Sequence, residues 1–453
     1  YHMAQVQAGY HLLQSGEPVA ADDRAELDLL FTDSLIRLGY HERFGKVNPY
    51  TLDPEWNFRR EATDIDAAEE ILAAINSTSL LASLKAEFPR GPFYERLRRG
   101  LSLYRQIMAD GGWPEFPDGP TLRPGAQDAR VAILAQRLAM TGDLPAAAIT
   151  TADDAYGESL EAGVRRFQSR HGLDADGIVG PSTARALNVS VEDRVKQLRV
   201  NLERTRWVFD DVSDNLILVN IAGFAAYVVR DGEVVWQTRV QVGKPFRKTP
   251  VFRDEMKYVV FNPTWTVPYS IATRDILPNV QADPDYIAKR NFDIRNRNGD
   301  LVDPESVDWS KLSRGNFPYT LVQRPGPDNA LGRVKFMFPN EHAVYLHDTP
   351  SKHLFGRAER AFSAGCIRVE NPFDFAEILL GRDGWTQERF KDVLESGETR
   401  TAFLSEPLPV LLLYWTAEID EDGIVHFYQD IYDRDPSVAD ALNARFTLDR
   451  PAR

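Results

Sequence analysis

Thiols are almost absent from this chain: one cysteine, Cys366, stands in 453 residues. A single cysteine excludes an internal disulfide, which fits a reducing compartment or an exported protein kept free of spare thiols. Histidine is scarce too. The eight histidines are scattered, no CxxC or HExxH occurs, and His342, His347 and His353 lack helical i, i+4 spacing. No metal and no cofactor is therefore expected. Basic charge is short, with 53 Lys and Arg against 67 Asp and Glu and a net charge of −14. A phosphate backbone needs a basic surface, so a nucleic-acid partner is not expected. No apolar run approaches the roughly 18 residues that cross a bilayer. There is no signal peptide at the start. Tyr1-His2-Met3 reads as a vector-derived remnant, so a signal segment or membrane anchor is expected to have preceded it.

What is present divides by pattern. Length alone suggests roughly two to four domains. Residues 4–127 read as a helical scaffold: polar and helix-compatible to about 26, then apolar residues at helical spacing from Leu27 to Leu38. Further helices are expected at Asp66–Ile75, Ser77–Glu87 and Phe93–Asp110. Gly111-Gly112-Trp113-Pro114 breaks the pattern. Residues 128–190 read as three short helices, with Leu160, Val164 and Phe167 on one stripe of the second. Gly172 closes that helix and Pro181 opens the next. Val191–Trp207 is a long amphipathic helix expected to pack back on the scaffold, completing it over 191–208.

Within this middle stretch Phe167-Gln168, His171-Gly172-Leu173, Asp176-Gly177-Ile178-Val179-Gly180, Thr183 and Ala186-Leu187-Asn188 resemble the three-helix peptidoglycan-binding module of cell-wall enzymes. The resemblance implies attachment to wall glycan. The residues alone are equally the core of a small bundle.

After Asp214 the apolar period changes to two. Leu216–Ile221, Ala225–Arg230, Val234–Val240, Tyr258–Pro263, Gly332–Phe338, Ala343–Leu346, Val410–Ala417 and Ile424–Tyr428 read as strands of one β-rich domain over 214–432. A polar insertion at about 265–325 interrupts it, of a length that suits a lid or a mobile loop. Residues 433–453 form a tail. Cys366 lies in Ser-Ala-Gly-Cys, and His347 ends an apolar run upstream. A thiolate nucleophile needs a base to carry its proton, which His347 can supply. Gly365 lets a carbonyl approach the backbone, and N–H groups around Gly365 and Cys366 would hold an oxyanion. Asp348 follows His347 along the strand, so its side chain is expected on the opposite face; a backbone carbonyl is the better orienter of the imidazole.

Phe362-Ser363-Ala364-Gly365-Cys366-Ile367-Arg368-Val369, with Tyr345-Leu346-His347-Asp348-Thr349-Pro350, resembles the signature of L,D-transpeptidases with a YkuD-type catalytic domain. Ala364 stands where many members carry histidine. That departure, with Asn262–Pro268 and Asp275–Pro278, is similar to the large Gram-negative YcbB-like subgroup. The resemblance implies a multidomain α+β protein: helical scaffold, peptidoglycan-binding module, and β-rich catalytic domain with a capping insertion. It implies Cys366 as nucleophile, His347 as base, and Gly365 and Tyr345 at the oxyanion. Ser363, Arg368, Asn371 and Trp265 would contact substrate. The implied reaction releases the terminal D-Ala of a stem peptide through a thioester and forms a 3→3 diaminopimelate cross-link. It implies a periplasmic monomer acting on stem peptides and glycan, open to carbapenems. Water or a wall-anchored protein as acceptor is the alternative within this chemistry. A non-catalytic wall-binding scaffold is the alternative outside it.

Overall fold

The computed structural model describes residues 3–53, 57–58, 67–86, 92–145, 155–208, 213–283 and 285–446. The chain divides into two compact units, residues 1–212 with 415–453, and residues 213–414.

Among the described residues of the first unit two apolar cores stand out. Helix Pro92–Ala109 presents Tyr94, Leu97, Leu101 and Tyr104, and helix Val191–Arg206 presents Val191, Val195, Leu198 and Leu202. Both sets recur at i, i+3/i+4 and i+7, so each makes one stripe, and the stripes bury each other. Ser190 caps the second helix by accepting the Asp193 N–H at 3.1 Å. The hairpin Ala417–Ile419/Val425–Phe427 completes this core. A Cβ at Gly100 would meet Ile419 Cδ1 at 2.1 Å, so glycine is what lets helix and hairpin close up. The boundary expected at 432 is corrected here. Strand periodicity alone assigned Ile424–Tyr428 to the catalytic sheet; its apolar face belongs to the helical core.

The second core is the module, with helices Arg130–Met140, Glu158–Arg170 and Pro181–Leu187. Leu134, Leu138, Val164, Phe167 and Leu187 are wholly buried, and Phe116 and Leu122 join them from before residue 128. Gln168 is buried and holds the turn after the second helix. Its amide donates to Asp176 Oδ1 (2.8 Å) and Ile178 O (2.9 Å), and its carbonyl accepts the Gly177 N–H (2.8 Å). Arg170 and Asp143, both under 5% exposed, pair at 2.5 and 2.6 Å, and Arg170 also donates to Val425 O at 3.1 Å. His171 stacks between Phe167 and Phe427. The module is thereby tied to the hairpin of its own unit. The expected helices at 66–75 and 77–87 form as Ala67–Ile75 and Leu80–Ala86; Asp66 and Glu87 lie outside the described residues, as do 447–453 of the tail.

The second unit is built on strands β1 (Leu216–Asn220), β2 (Ala225–Arg230), β3 (Glu233–Gly243), β4 (Phe252–Phe261), β5 (Trp265–Thr266), β6 (Phe292–Arg295), β7 (Leu301–Val302), β8 (Thr320–Gln323), β9 (Val334–Met337), β10 (Leu346–His347), β11 (Ala361–Ser363), β12 (Ile367–Val369) and β13 (Arg400–Leu413). Nine strands pair in the order β11-β3-β12-β10-β9-β4-β13-β1-β2. The long β3 pairs β2 with its first half and β12 with its second, so the sheet closes on itself. Alternation then separates two faces. Phe336, Leu346 and Ile367, paired across β9, β10 and β12, are wholly buried. Helix Pro372–Leu380 covers that face, its Phe375 ring 4.6 Å from Phe336 and 5.1 Å from Trp236. Residues of opposite parity look the other way, and these form the candidate site.

Residues 265–323 fold as a cap instead of a loose loop. Strands β5-β8-β6-β7 make a separate four-stranded sheet over a core that includes Val267, Ile276, Val280, Ile294 and Leu321. Period-two signal is faint there because the strands are two to four residues long. Arg247, in the β3–β4 loop, holds the cap through a bidentate pair with Asp275 at 2.6 and 3.1 Å. That pair is half open to solvent, so Arg247→Ala is expected to cost only about 0.5–1 kcal/mol. Amide exchange should quicken across 265–323 and stay unchanged in β13; equal exchange in the cap would remove the tether.

Candidate active site

Cys366 sits in the tight connection between β11 and β12. Gly365 takes φ +125°, a conformation that side chains rarely adopt. Ser363 ties the turn: its hydroxyl donates to Cys366 O (2.5 Å) and accepts the Gly365 N–H (3.0 Å). Thr249 ties it from the β3–β4 loop, accepting the Gly243 N–H (2.9 Å) and donating to Gly365 O (2.8 Å). Ser363, expected at the substrate, is buried, and its hydroxyl is committed to the turn that it braces. The Gly365 N–H is likewise committed, which leaves the Cys366 N–H as the turn's available donor; it makes no hydrogen bond among the described residues.

β10 lies beside β12 in parallel, and Ile367 donates to Tyr345 O at 3.1 Å. Tyr345 therefore flanks Cys366, and His347 flanks Arg368. Only Leu346–His347 is strand; the expected strand at 343–345 is replaced by a loop in which Ala343 has φ +53°. Asn340 staples that loop, donating to Phe338 O (2.6 Å) and Val344 O (2.7 Å) and accepting the Val344 N–H (3.1 Å). The loop brings Ala343 O to 3.8 Å from the thiol. The Tyr345 backbone and hydroxyl also act on the sulfur, each favouring its ionised form. The Trp265 side chain from the cap acts on the same hydroxyl, favouring its ionised form. Burial pushes the Cys366 thiol above its usual range, against the lowering pull of Tyr345, Lys335 and Arg368. The residue nevertheless keeps an opening to solvent.

His347 is buried, and its Nδ1 is 2.5 Å from Asp348 O. The orienting group is thus a backbone carbonyl, as strand alternation requires. The Asp348 carboxylate points away, accepting N–H groups of Arg333 (2.8 Å) and Thr349 (2.7 Å) and pairing with Lys352. Gly332 makes room for it, since a Cβ there would lie 2.3 Å from Asp348 Cγ. Burial first, then the Arg368 and Lys335 charges, push His347 down to about 3. The imidazole is neutral at working pH. It and Cys366 share a sheet face one register step apart, with no hydrogen bond between them among the described residues.

Of the other expected contacts, Arg368 faces the site and donates to Gln241 Oε1 at 3.1 Å. Trp265 reaches Tyr345 while packing on the cap core. Asn371 is not brought to the thiol. It opens helix 372–380, and its amide donates to Thr238 Oγ1 at 3.3 Å. Lys335, Thr249 and Asn340 escaped the sequence reading. A lysine in a strand and an Asn in a loop look like solvated surface, and only the register shows otherwise. No cluster able to hold a metal ion occurs among the described residues.

This turn and strand pair fall inside residues 214–389, which match the profile of the L,D-transpeptidase catalytic domain, YkuD. The chain carries an L,D-transpeptidase catalytic domain. Residues 127–187 match a "Putative peptidoglycan binding domain" and residues 1–101 a scaffold domain. A protein of Haemophilus influenzae named "Putative L,D-transpeptidase" is 41% identical over 250 residues, which is 55% of this chain. The match spans 50% of that relative's own length. Among solved structures, an L,D-transpeptidase from Xylanimonas cellulosilytica is 18% identical, with 66% of this chain and 99% of that chain covered and a TM-score of 0.20. One from Mycobacterium smegmatis is 14% identical, covers 44% and 58%, and has a TM-score of 0.23. At such scores neither superposition adds to the argument. Within the transpeptidase domain, His347 lies in the closed sheet, Cys366 in the turn that joins two of its strands, and Trp265 in the cap.

Proposed function

We propose that the protein is a peptidoglycan L,D-transpeptidase whose nucleophile is Cys366 and whose base is His347. The observation that carries this is the placement of the chain's one thiol in a braced turn, on the same face and adjoining register as a buried neutral imidazole. His347 takes the thiol proton as sulfur attacks the carbonyl of the third stem residue, diaminopimelate. The Cys366 N–H and the Tyr345 hydroxyl face the developing oxyanion. The amine of the terminal D-Ala leaves with the proton, and a thioester remains. The side-chain amine of a second diaminopimelate then attacks it, giving a 3→3 link. Apo sites are commonly looser than loaded ones, which accommodates the gap between thiol and imidazole. The module at 127–187 supports a wall-held substrate, and an exported, periplasmic location follows from that substrate. The described helices include none long and apolar enough to cross a membrane. Carbapenems are expected to acylate the same thiol.

The test is incubation of the full chain with tetrapeptide muropeptides, read by mass spectrometry. A dimer that has lost one D-Ala, absent with Cys366→Ala, supports transpeptidation. Accumulation of tripeptide without dimer assigns water as acceptor. If wild-type protein yields neither product, the enzymatic reading fails.

A further inference from the structure

Two cations look toward Cys366, and no carboxylate balances either among the described residues. They flank His347 in one register row: Arg368 on β12, His347 on β10 and Lys335 on β9. Arg368 donates to the neutral Gln241 amide, while its buried Nε makes no hydrogen bond. Lys335 makes no hydrogen bond or ion pair among the described residues. Its Nζ lies 3.9 Å from the centre of the Tyr345 ring, the residue that flanks Cys366 across β10 and β12. The ammonium is thus held on an aromatic face beside the thiol's own neighbour. A partly buried ammonium with no anion costs stability unless an anion arrives. The ionisable group whose charge acts on this ammonium is the Cys366 sulfur. Around it stand Tyr345, Ala343 O, Lys335 and Arg368, with neutral His347 further along the same face; no acid faces it among the described residues.

We propose that Lys335 is the fixed counter-charge of the Cys366 thiolate, a positioning residue that sets the pH at which the nucleophile ionises. The inference rests on Cys366 being the nucleophile. The Lys335 charge acts on both partners. It eases loss of the thiol proton and, with Arg368, disfavours a resting thiolate–imidazolium pair, so His347 waits neutral and takes the proton only as sulfur attacks. The tyrosine ring keeps the ammonium in place without neutralising it.

The test is the rate of alkylation of Cys366 by iodoacetamide against pH, on the full chain with no peptidoglycan present. It reads ionisation alone, so it can fail while the transpeptidase reading stands, and the reverse. Lys335→Met is expected to raise the midpoint by about one unit, an alkylation about tenfold slower at any pH below it. Lys335→Arg, which keeps the charge, should hold the midpoint near wild type. A Met profile that superposes on wild type overturns the proposal. So does an Arg variant shifted as far as Met, which would mark a packing role. An unshifted profile with a raised KM for muropeptide would instead make Lys335 an anchor for a substrate carboxylate, and overturns it as well. Should Lys335→Met not fold, Lys335→Gln carries the same comparison, with folding checked by thermal melting.

Discussion

His347→Asn is expected to slow acylation of Cys366 by about 10²–10⁴-fold, the range that general-base catalysis supplies. Asparagine can still satisfy Asp348 O, so turn and thiol should persist, and the thiol should still react with a small alkylating agent. The check is a time course of acyl-enzyme mass with a carbapenem. A loss of less than threefold would remove His347 from the base role. The pH profile tests the same residue. Because His347 is pushed down to about 3, it stays neutral through the range where an ordinary histidine titrates. The acylation rate should show no acidic limb near 6.5, and a limb there would contradict the buried, neutral imidazole. Stability follows the same sign. Between 6.5 and 3 the unfolded chain binds a proton at this site that the native chain does not. The contribution is therefore fully present above pH 6.5 and is lost as pH falls toward 3, by on the order of 4 kcal/mol. His171, buried against Phe167 and Phe427, is pushed in the same direction.

Asp143→Ala is expected to destabilise the first unit by about 3–5 kcal/mol, because it leaves the buried Arg170 guanidinium without its carboxylate. The two groups are 4% and 3% exposed, so solvent gives little relief. Calorimetry should show a lowered first-unit transition. Acylation of Cys366 by a small donor should be retained, since the thiol belongs to the other unit. A change below about 1 kcal/mol would put the pair in the surface class. Replacing both residues by apolar ones of similar volume should cost less than Asp143→Ala alone.

The chemistry was more legible than the layout. Cys366 after glycine and His347 at the end of an apolar run stand out in the sequence because few residue pairs offer thiol chemistry, and the fold sets them on one sheet face. The middle module was legible through Gln168 and Asp176-Gly177, residues whose buried hydrogen bonds tolerate few replacements. Lys335 was not legible. In Arg333-Val334-Lys335-Phe336 the alternation correctly predicts opposite faces, yet nothing local says that the polar face is enclosed. Ser363 was read as a substrate contact because a hydroxyl's partner depends on the fold of its own turn. The hairpin at 417–427 was given to the wrong unit because periodicity reveals that a strand has an apolar face, not what lies against it. The cap's short strands carry too few residues for any period to emerge.

The closure of the large sheet bears on when the site can exist. β1 pairs in parallel with β13, Ile217 against Val410, and β4 is paired along most of its length by the same strand. The row that flanks the thiol is drawn from four separate segments, at 241, 335, 347 and 368. Such non-local pairing is slow to form, because loop-closure entropy is lost before the contacts repay it. Synthesis from the N-terminus completes the nucleophile and its neighbours well before β13, so a nascent chain carries the reactive residues before it can hold them in place.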